Sequence, residues 1–174
     1  MPSIITQNVY LEKSLDCILR IIEHRENVII IDVDMQLTLR KLISLLDELS
    51  VDSKTKVIFT GTPSIYISFF KKFDWMDVGL PLDIFVERLR ISRGIKVKAL
   101  KDAIECYLSL GVLSISQSKI AFLSMHYEVG TIAKILSATE KNIYTMINII
   151  EHKMNFNSLN HLRYFMIREY GGFY

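Results

Sequence analysis

Along residues 140–154 the apolar positions Ile143, Met146, Ile147, Ile150 and Met154 recur at i, i+3, i+4, i+7 and i+11. That spacing places them on one face of an α-helix. Thr139 precedes the run and suits an N-cap, accepting from the free N–H groups of the first turn. A shorter apolar helix is expected at residues 131–136, linked to the longer one through Ser137 and Ala138. Upstream the pattern changes. Residues 3–6, 28–32 and 56–60 are short apolar runs, and the last two are continuous, as in strands of a parallel sheet buried on both faces. Between them, residues 10–24 and 37–49 carry helical periodicity, with Leu11, Leu15, Ile18, Leu19 and Ile22 inward in the first and Leu39, Leu42, Ile43 and Leu46 in the second.

Pro63, after Gly61 and Thr62, fits the first position of a further helix. Residues 77–80 suit an edge strand, and Asp83 suits the cap of a closing helix over 83–91. Alternating strands and helices over 1–92 predict an α/β sandwich with a mainly parallel sheet. Residues 93–112 read as a linker with a helix at 97–110, and 113–174 read as an all-α domain containing a helix-turn-helix. Ligands in parallel sheets lie at the carboxyl ends of the strands. Those ends are Gln7 and Asn8, Asp32 and Thr60, with Leu80 and Pro81 after the last strand.

Composition narrows the picture modestly. Half of the 174 residues are apolar, which suffices for the core of one large or two small domains. The formal net charge is +2: residues 1–92 hold 11 Lys/Arg against 13 Asp/Glu, 93–112 hold 4 against 2, and 113–174 hold 6 against 4. The positive excess therefore sits late in the chain, and it is far from the bias of a histone-like protein. Cys17 and Cys106 are expected to be buried free thiols. The chain opens without a signal-like apolar run, and no run approaches the ~20 residues of a membrane span, so a cytoplasmic protein with no membrane partner is expected. His24, His126, His152 and His161 lack metal-ligand spacing, and neither metal nor cofactor is expected.

Residues 113–170 resemble the C-terminal DNA-binding domain of the LuxR/FixJ (GerE-like) transcription regulators. Leu113-Ser114 stands for the family's opening Leu-Thr, Ser114 with Gln117 makes a capping box, and Ile132-Ala133 with Leu136 matches its Ile-Ala…Leu. Glu140-Lys141-Asn142-Ile143 sits at its Glu-Lys-Thr-Val, Lys153-Met154 at its Lys-Leu, and 158–170 at its fourth helix. The resemblance implies that the helix at 139–154 enters the major groove of duplex DNA. Contacts are then expected from Lys134, Lys141, Asn142, Tyr144, Thr145, Asn148, His152 and Lys153, with Asn148 suited to adenine edges, Thr145 to a thymine methyl and Lys134, Lys141 and Lys153 to phosphates. Leu159, Leu162, Phe165 and Met166 are the expected dimer face. The departures are Tyr127 and Ser137 at the family's glycines, Met146 at its histidine, and uncharged Tyr144 and Asn148 at its usual lysines.

The first half resembles a response-regulator receiver, shortened by one strand–helix unit between the first helix and Val28. Asp32 stands at the phospho-acceptor position, Thr60 at the switch threonine and Leu80-Pro81 at the receiver's Lys-Pro. The acidic pair that holds Mg²⁺ in receivers corresponds to neutral residues among Thr6, Gln7 and Asn8, and the lysine to Leu80. Phosphoryl transfer needs that charge neutralised, so Asp32, Asp34 and Thr60 are expected to form a vestigial site and the domain a pseudo-receiver. The expected function is a non-enzymatic LuxR-type transcription regulator, binding DNA as a homodimer or as a heterodimer with a related regulator. One alternative is a protein-interaction module that modulates another regulator without reading DNA. Another is a haloacid-dehalogenase-like phosphatase, which Asp32-Val-Asp34 also resembles, although Gln36 departs from that motif and no later lysine with paired acids follows.

Overall fold

The computed structural model describes residues 3–22, 27–35, 38–49, 54–62, 66–70 and 72–171. The chain divides into two compact units, Met1–Ile104 and Glu105–Tyr174.

In the first unit, β1 (Ser3–Ile5), β2 (Val28–Asp32), β3 (Lys56–Gly61) and β4 (Trp75–Asp77) form a parallel sheet in the order of the sequence. The intervening helices are α1 (Val9–Ile21), α2 (Leu39–Glu48) and α3 (Ile67–Phe70), followed by α4 (Leu82–Ile91). Every residue of β2 is buried, as its unbroken apolar run requires of a strand covered on both sides. Side chains alternate between the faces. Ile30 and Ile58 meet Leu15, Ile18 and Leu19 of α1 and Phe85 and Leu89 of α4. On the other face, Ile31 and Phe59 lie with Leu42 of α2 and Phe70 of α3, the two phenylalanine rings 4.6 Å apart.

This layering has a topological consequence. The steps β1 to β2 and β2 to β3 run the same way across the sheet, yet α1 and α2 cover opposite faces. The two crossovers are therefore of opposite hand, whereas about 98% of such connections are right-handed.

Several boundaries differ from expectation. β4 lies at Trp75–Asp77, because Asp77 closes a turn in which its Oδ1 accepts from the Gly79 N–H at 2.8 Å. Asp83 lies inside the first turn of α4; the capping position belongs to Pro81, which makes no side-chain cap bond. Helix α1 instead gains its cap from Asn8, whose side chain accepts from the amides of Tyr10 and Leu11. Residues 93–112 contribute the helix α5 (Val97–Leu108) and also a short strand, β5 (Ile95–Lys96), antiparallel to the start of β3. The carboxylate of Asp74 holds that junction, its Oδ2 accepting from Ser92 Oγ and from the amides of Arg93 and Gly94. Cys17 and Cys106 are both exposed, on the solvent sides of α1 and α5, and are not the buried thiols expected. Pro63, His24, Gln36 and Leu37 lie outside the described residues.

The second unit contains α6 (Ile115–Leu123), α7 (Val129–Ile135), α8 (Glu140–Met154) and α9 (Leu159–Tyr170). Their core includes Ile120, Ile132, Ile143, Ile147, Ile150, Leu162 and Phe165. The end of α5 joins this core: Tyr107 donates to the Met154 carbonyl at 2.9 Å, and its ring meets Phe165 edge-on at 5.5 Å. No helix among the described residues is long and apolar enough to cross a membrane.

Candidate functional site

At the carboxyl end of the sheet, Asp32 closes β2 and is 4% exposed. Register places it opposite Thr60, and Thr6 follows the last β1–β2 pair beside it. Thr6 Oγ1 donates to Asp32 Oδ2 at 2.6 Å and accepts from the Asn8 N–H at 3.0 Å. The Asp34 N–H donates to Asp32 Oδ1 at 2.9 Å. Both oxygens of the buried carboxylate thus have partners, as burial of a charge demands. Thr60 is fully buried, and its Oγ1 has no hydrogen-bond partner among the described residues.

The Asp34 carboxylate is engaged by Thr62. Thr62 donates to it twice, through its N–H at 3.0 Å and its hydroxyl at 2.8 Å. Gly61 makes this approach possible: its φ is +142°, and a Cβ there would lie 2.7 Å from Val33 Cγ2 and 3.2 Å from Asp34 Oδ1. A cleft of about 610 Å³ opens above these residues, lined by 7–11, Asp32, Asp34, Met35 and Val78. No lining side chain among the described residues is cationic.

The Mg²⁺ that a receiver resemblance implies does not fit this donor set. Mg²⁺ requires carboxylates and near-octahedral oxygen geometry. Here Thr6 is bonded to Asp32, the Asn8 side chain caps α1, and both Asp34 oxygens accept from Thr62. Asp77, a further carboxylate at the end of β4, was not singled out by the sequence reading; its Oδ1 is engaged in its own turn.

The second unit presents a different surface. Ser114 and Gln117 form the expected capping box on α6, Thr139 Oγ1 caps α8 through the Asn142 N–H at 3.2 Å, and Ser158 caps α9. Between α7 and α8, Ser137 has a φ of +51°. The Ser137 N–H donates to the Lys134 carbonyl at 3.2 Å and the Ala138 N–H to the Ala133 carbonyl at 2.9 Å, the paired bonds of a Schellman turn. Arg163 of α9 braces the loop before α7, donating to the carbonyls of Ser124 and Tyr127, each at 3.1 Å, and to Glu128 Oε2 at 2.9 Å.

The buried stripe of α8 is Ile143, Ile147, Ile150 and Met154. Met146 was expected on that stripe but is 36% exposed, because it falls on the margin of the face at about 100° per residue. Opposite the stripe lie Lys141, Thr145, Asn148 and His152, all exposed, with Asn142 and Ile149 on one flank and Tyr144 on the other. Thr145 Oγ1 donates to the Lys141 carbonyl at 2.9 Å. Lys134 is exposed on α7; Lys153 donates from Nζ to Gln117 Oε1 at 3.0 Å. Glu151 is half-buried, and burial raises its pKa above the usual glutamate value.

The expected dimer face is corrected. Leu162, Phe165 and Met166 are at most 1% exposed and fill the core of their own unit, leaving Leu159 half-buried. The exposed apolar side chains of α9 are Tyr164 and Ile167.

No protein family and no curated protein matches the chain. Among solved structures, the response regulator StyR aligns over 96% of this chain and 98% of its own, at a TM-score of 0.37 and 14% identity. Full-length FixJ from B. japonicum aligns over 97% of this chain and 96% of its own, at a TM-score of 0.36 and 15% identity.

Proposed function

We propose that the chain is a DNA-binding transcription regulator of the LuxR type, with a pseudo-receiver as its first unit. The observation that carries the reading is α8. A capped helix follows α7 through a tight left-handed turn, buries one stripe in its own unit and leaves amides, a lysine and a histidine on the opposite side. That is what a helix needs to enter a major groove while held from behind. Lys134 and Lys141 would contact phosphates, whereas Lys153 is engaged with Gln117.

Two features support the pseudo-receiver reading. A doubly wound sheet of order 2-1-3-4-5 that loses strand 2 and its helix keeps order 1-3-4-5, with its first helix still on the original face. The sequential strand order and the opposite-handed crossovers follow from that excision. The second feature is Asp32, held by hydrogen bonds in a cleft with no cationic side chain among the described residues, which suits neither a phosphoryl acceptor nor a phosphatase nucleophile. On this reading the protein acts by binding DNA, as a homodimer or with a related regulator, and not as an enzyme.

Salt dependence tests the reading. Fluorescence anisotropy with a labelled duplex should give a log K that falls with log salt at a slope of about −2 per module, for two phosphate-neutralising lysines at ~0.9 each. Absence of binding, or binding indifferent to salt, would favour a protein-interaction module instead. Exposed Ile135, Met146 and Ile149 on the same unit are the observation behind that second reading.

A further inference from the structure

The chemistry of the α8 surface narrows which base pairs it can select. Its sequence, EKNIYTMINIIEHKM, contains no arginine. Arginine bidentate to guanine O6 and N7 is the commonest device for choosing G·C in a major groove. Of its two lysines, Lys153 is bonded to Gln117, and Lys141 is the phosphate contact of the proposed function.

The other outward groups are the amides of Asn142 and Asn148, the methyls of Thr145 and Ile149, and the rings of Tyr144 and His152, neither of which offers the paired donors of a bidentate guanine contact. Asn148 and Asn142 are exposed, and an asparagine amide matches the adjacent acceptor and donor of adenine N7 and N6. The Thr145 hydroxyl proton is held by the Lys141 carbonyl, which removes the side chain's donor from the surface. Ile149, one turn along, is 37% exposed, and Met146 beside it is 36% exposed. In the major groove only thymine offers a methyl group for such atoms to cover.

We infer that α8 selects A·T base pairs, Asn148 bonding an adenine edge and Ile149 with Thr145 covering thymine methyls. This deepens the proposed function and rests on it. Asn148 and Ile149 are exposed, so replacing them leaves the core untouched.

The test is selection by the full-length chain from a random duplex pool, followed by affinity measurements. The selected duplex should be rich in A·T where α8 contacts it, and Asn148→Ala should weaken its binding about tenfold while flattening the preference at one position. Replacing the contacted thymines by deoxyuracil changes no protein atom. It should weaken the wild type several-fold and Ile149→Ala by less, through the contact that Thr145 keeps. Enrichment of G·C-rich sites would overturn the base preference and leave DNA reading intact. Uracil losses equal in wild type and Ile149→Ala would overturn the assignment of Ile149. No enrichment at all would overturn both the preference and the proposed function.

Discussion

Thr6 Oγ1 lies 2.6 Å from Asp32 Oδ2 and donates to it across the first two strands. A carboxylate buried at the end of a parallel sheet needs either a cation or hydrogen bonds. This one has hydrogen bonds, from Thr6 and from the Asp34 amide, and the proposed pseudo-receiver reading rests on that choice.

Thr6→Val removes one of those donors while keeping the shape. Loss of a bond to a buried charged group should cost about 1–3 kcal/mol. Urea unfolding followed by the fluorescence of Trp75, the single tryptophan of the chain, should show a lower midpoint. Thr6→Ser should restore most of it, and an unchanged midpoint in Thr6→Val would show that the bond contributes nothing.

Incubation with Mg²⁺ and acetyl phosphate should leave the intact mass unchanged. The cleft offers the incoming anion two aspartates and no cation among the described residues, and Thr62 occupies both oxygens of Asp34. A stable adduct on Asp32 would contradict this reading of the site.

Ser137 holds a left-handed conformation that costs a non-glycine residue about 1–3 kcal/mol. Glycine removes that cost but loses about 0.5–1 kcal/mol to chain entropy. Ser137→Gly should therefore raise stability by up to about 2.5 kcal/mol, and Ser137→Val should lower it. Thermal unfolding of the two variants checks the sign.

Burial raises the Glu151 pKa, so the folded state favours the protonated side chain. The associated stability is fully present below the ordinary glutamate pKa and is lost as pH rises through the folded value. Glu151→Gln should thus stabilise the protein at pH 7, and the difference should shrink towards zero at pH 3. Denaturant titrations of both proteins at the two pH values measure it; an equal difference at both would exclude the burial effect.

The elements with long repeating patterns were legible in the chain. Ile143, Ile147, Ile150 and Met154 are buried as their spacing implies, and the apolar runs of β2 and β3 are central strands. Short elements were not. β5 has two residues and exists because the Asp74 carboxylate gathers the Ser92–Gly94 loop, a contact no local pattern records. The clamp of Thr62 on Asp34 joins residues 28 positions apart and depends on strand register and on the space left by Gly61. At α9, apolar periodicity marked Leu162, Phe165 and Met166 correctly as one face, but periodicity alone cannot say whether a face meets its own unit or a partner. Their burial in one chain decides it. Cys17 and Cys106 were placed inside on residue type alone, although each lies nearly opposite the buried stripe of its helix at about 100° per residue.

Placing a negative charge at the centre of the exposed side of α8 tests the central claim most directly. Thr145→Glu and Asn148→Asp alter exposed positions, so circular dichroism should show an unchanged fold. For a duplex enriched by the wild-type chain, the dissociation constant should rise at least tenfold in each variant at the same salt concentration. Unchanged affinity in both variants, with the fold intact, would contradict the assignment of α8 as the surface that meets DNA.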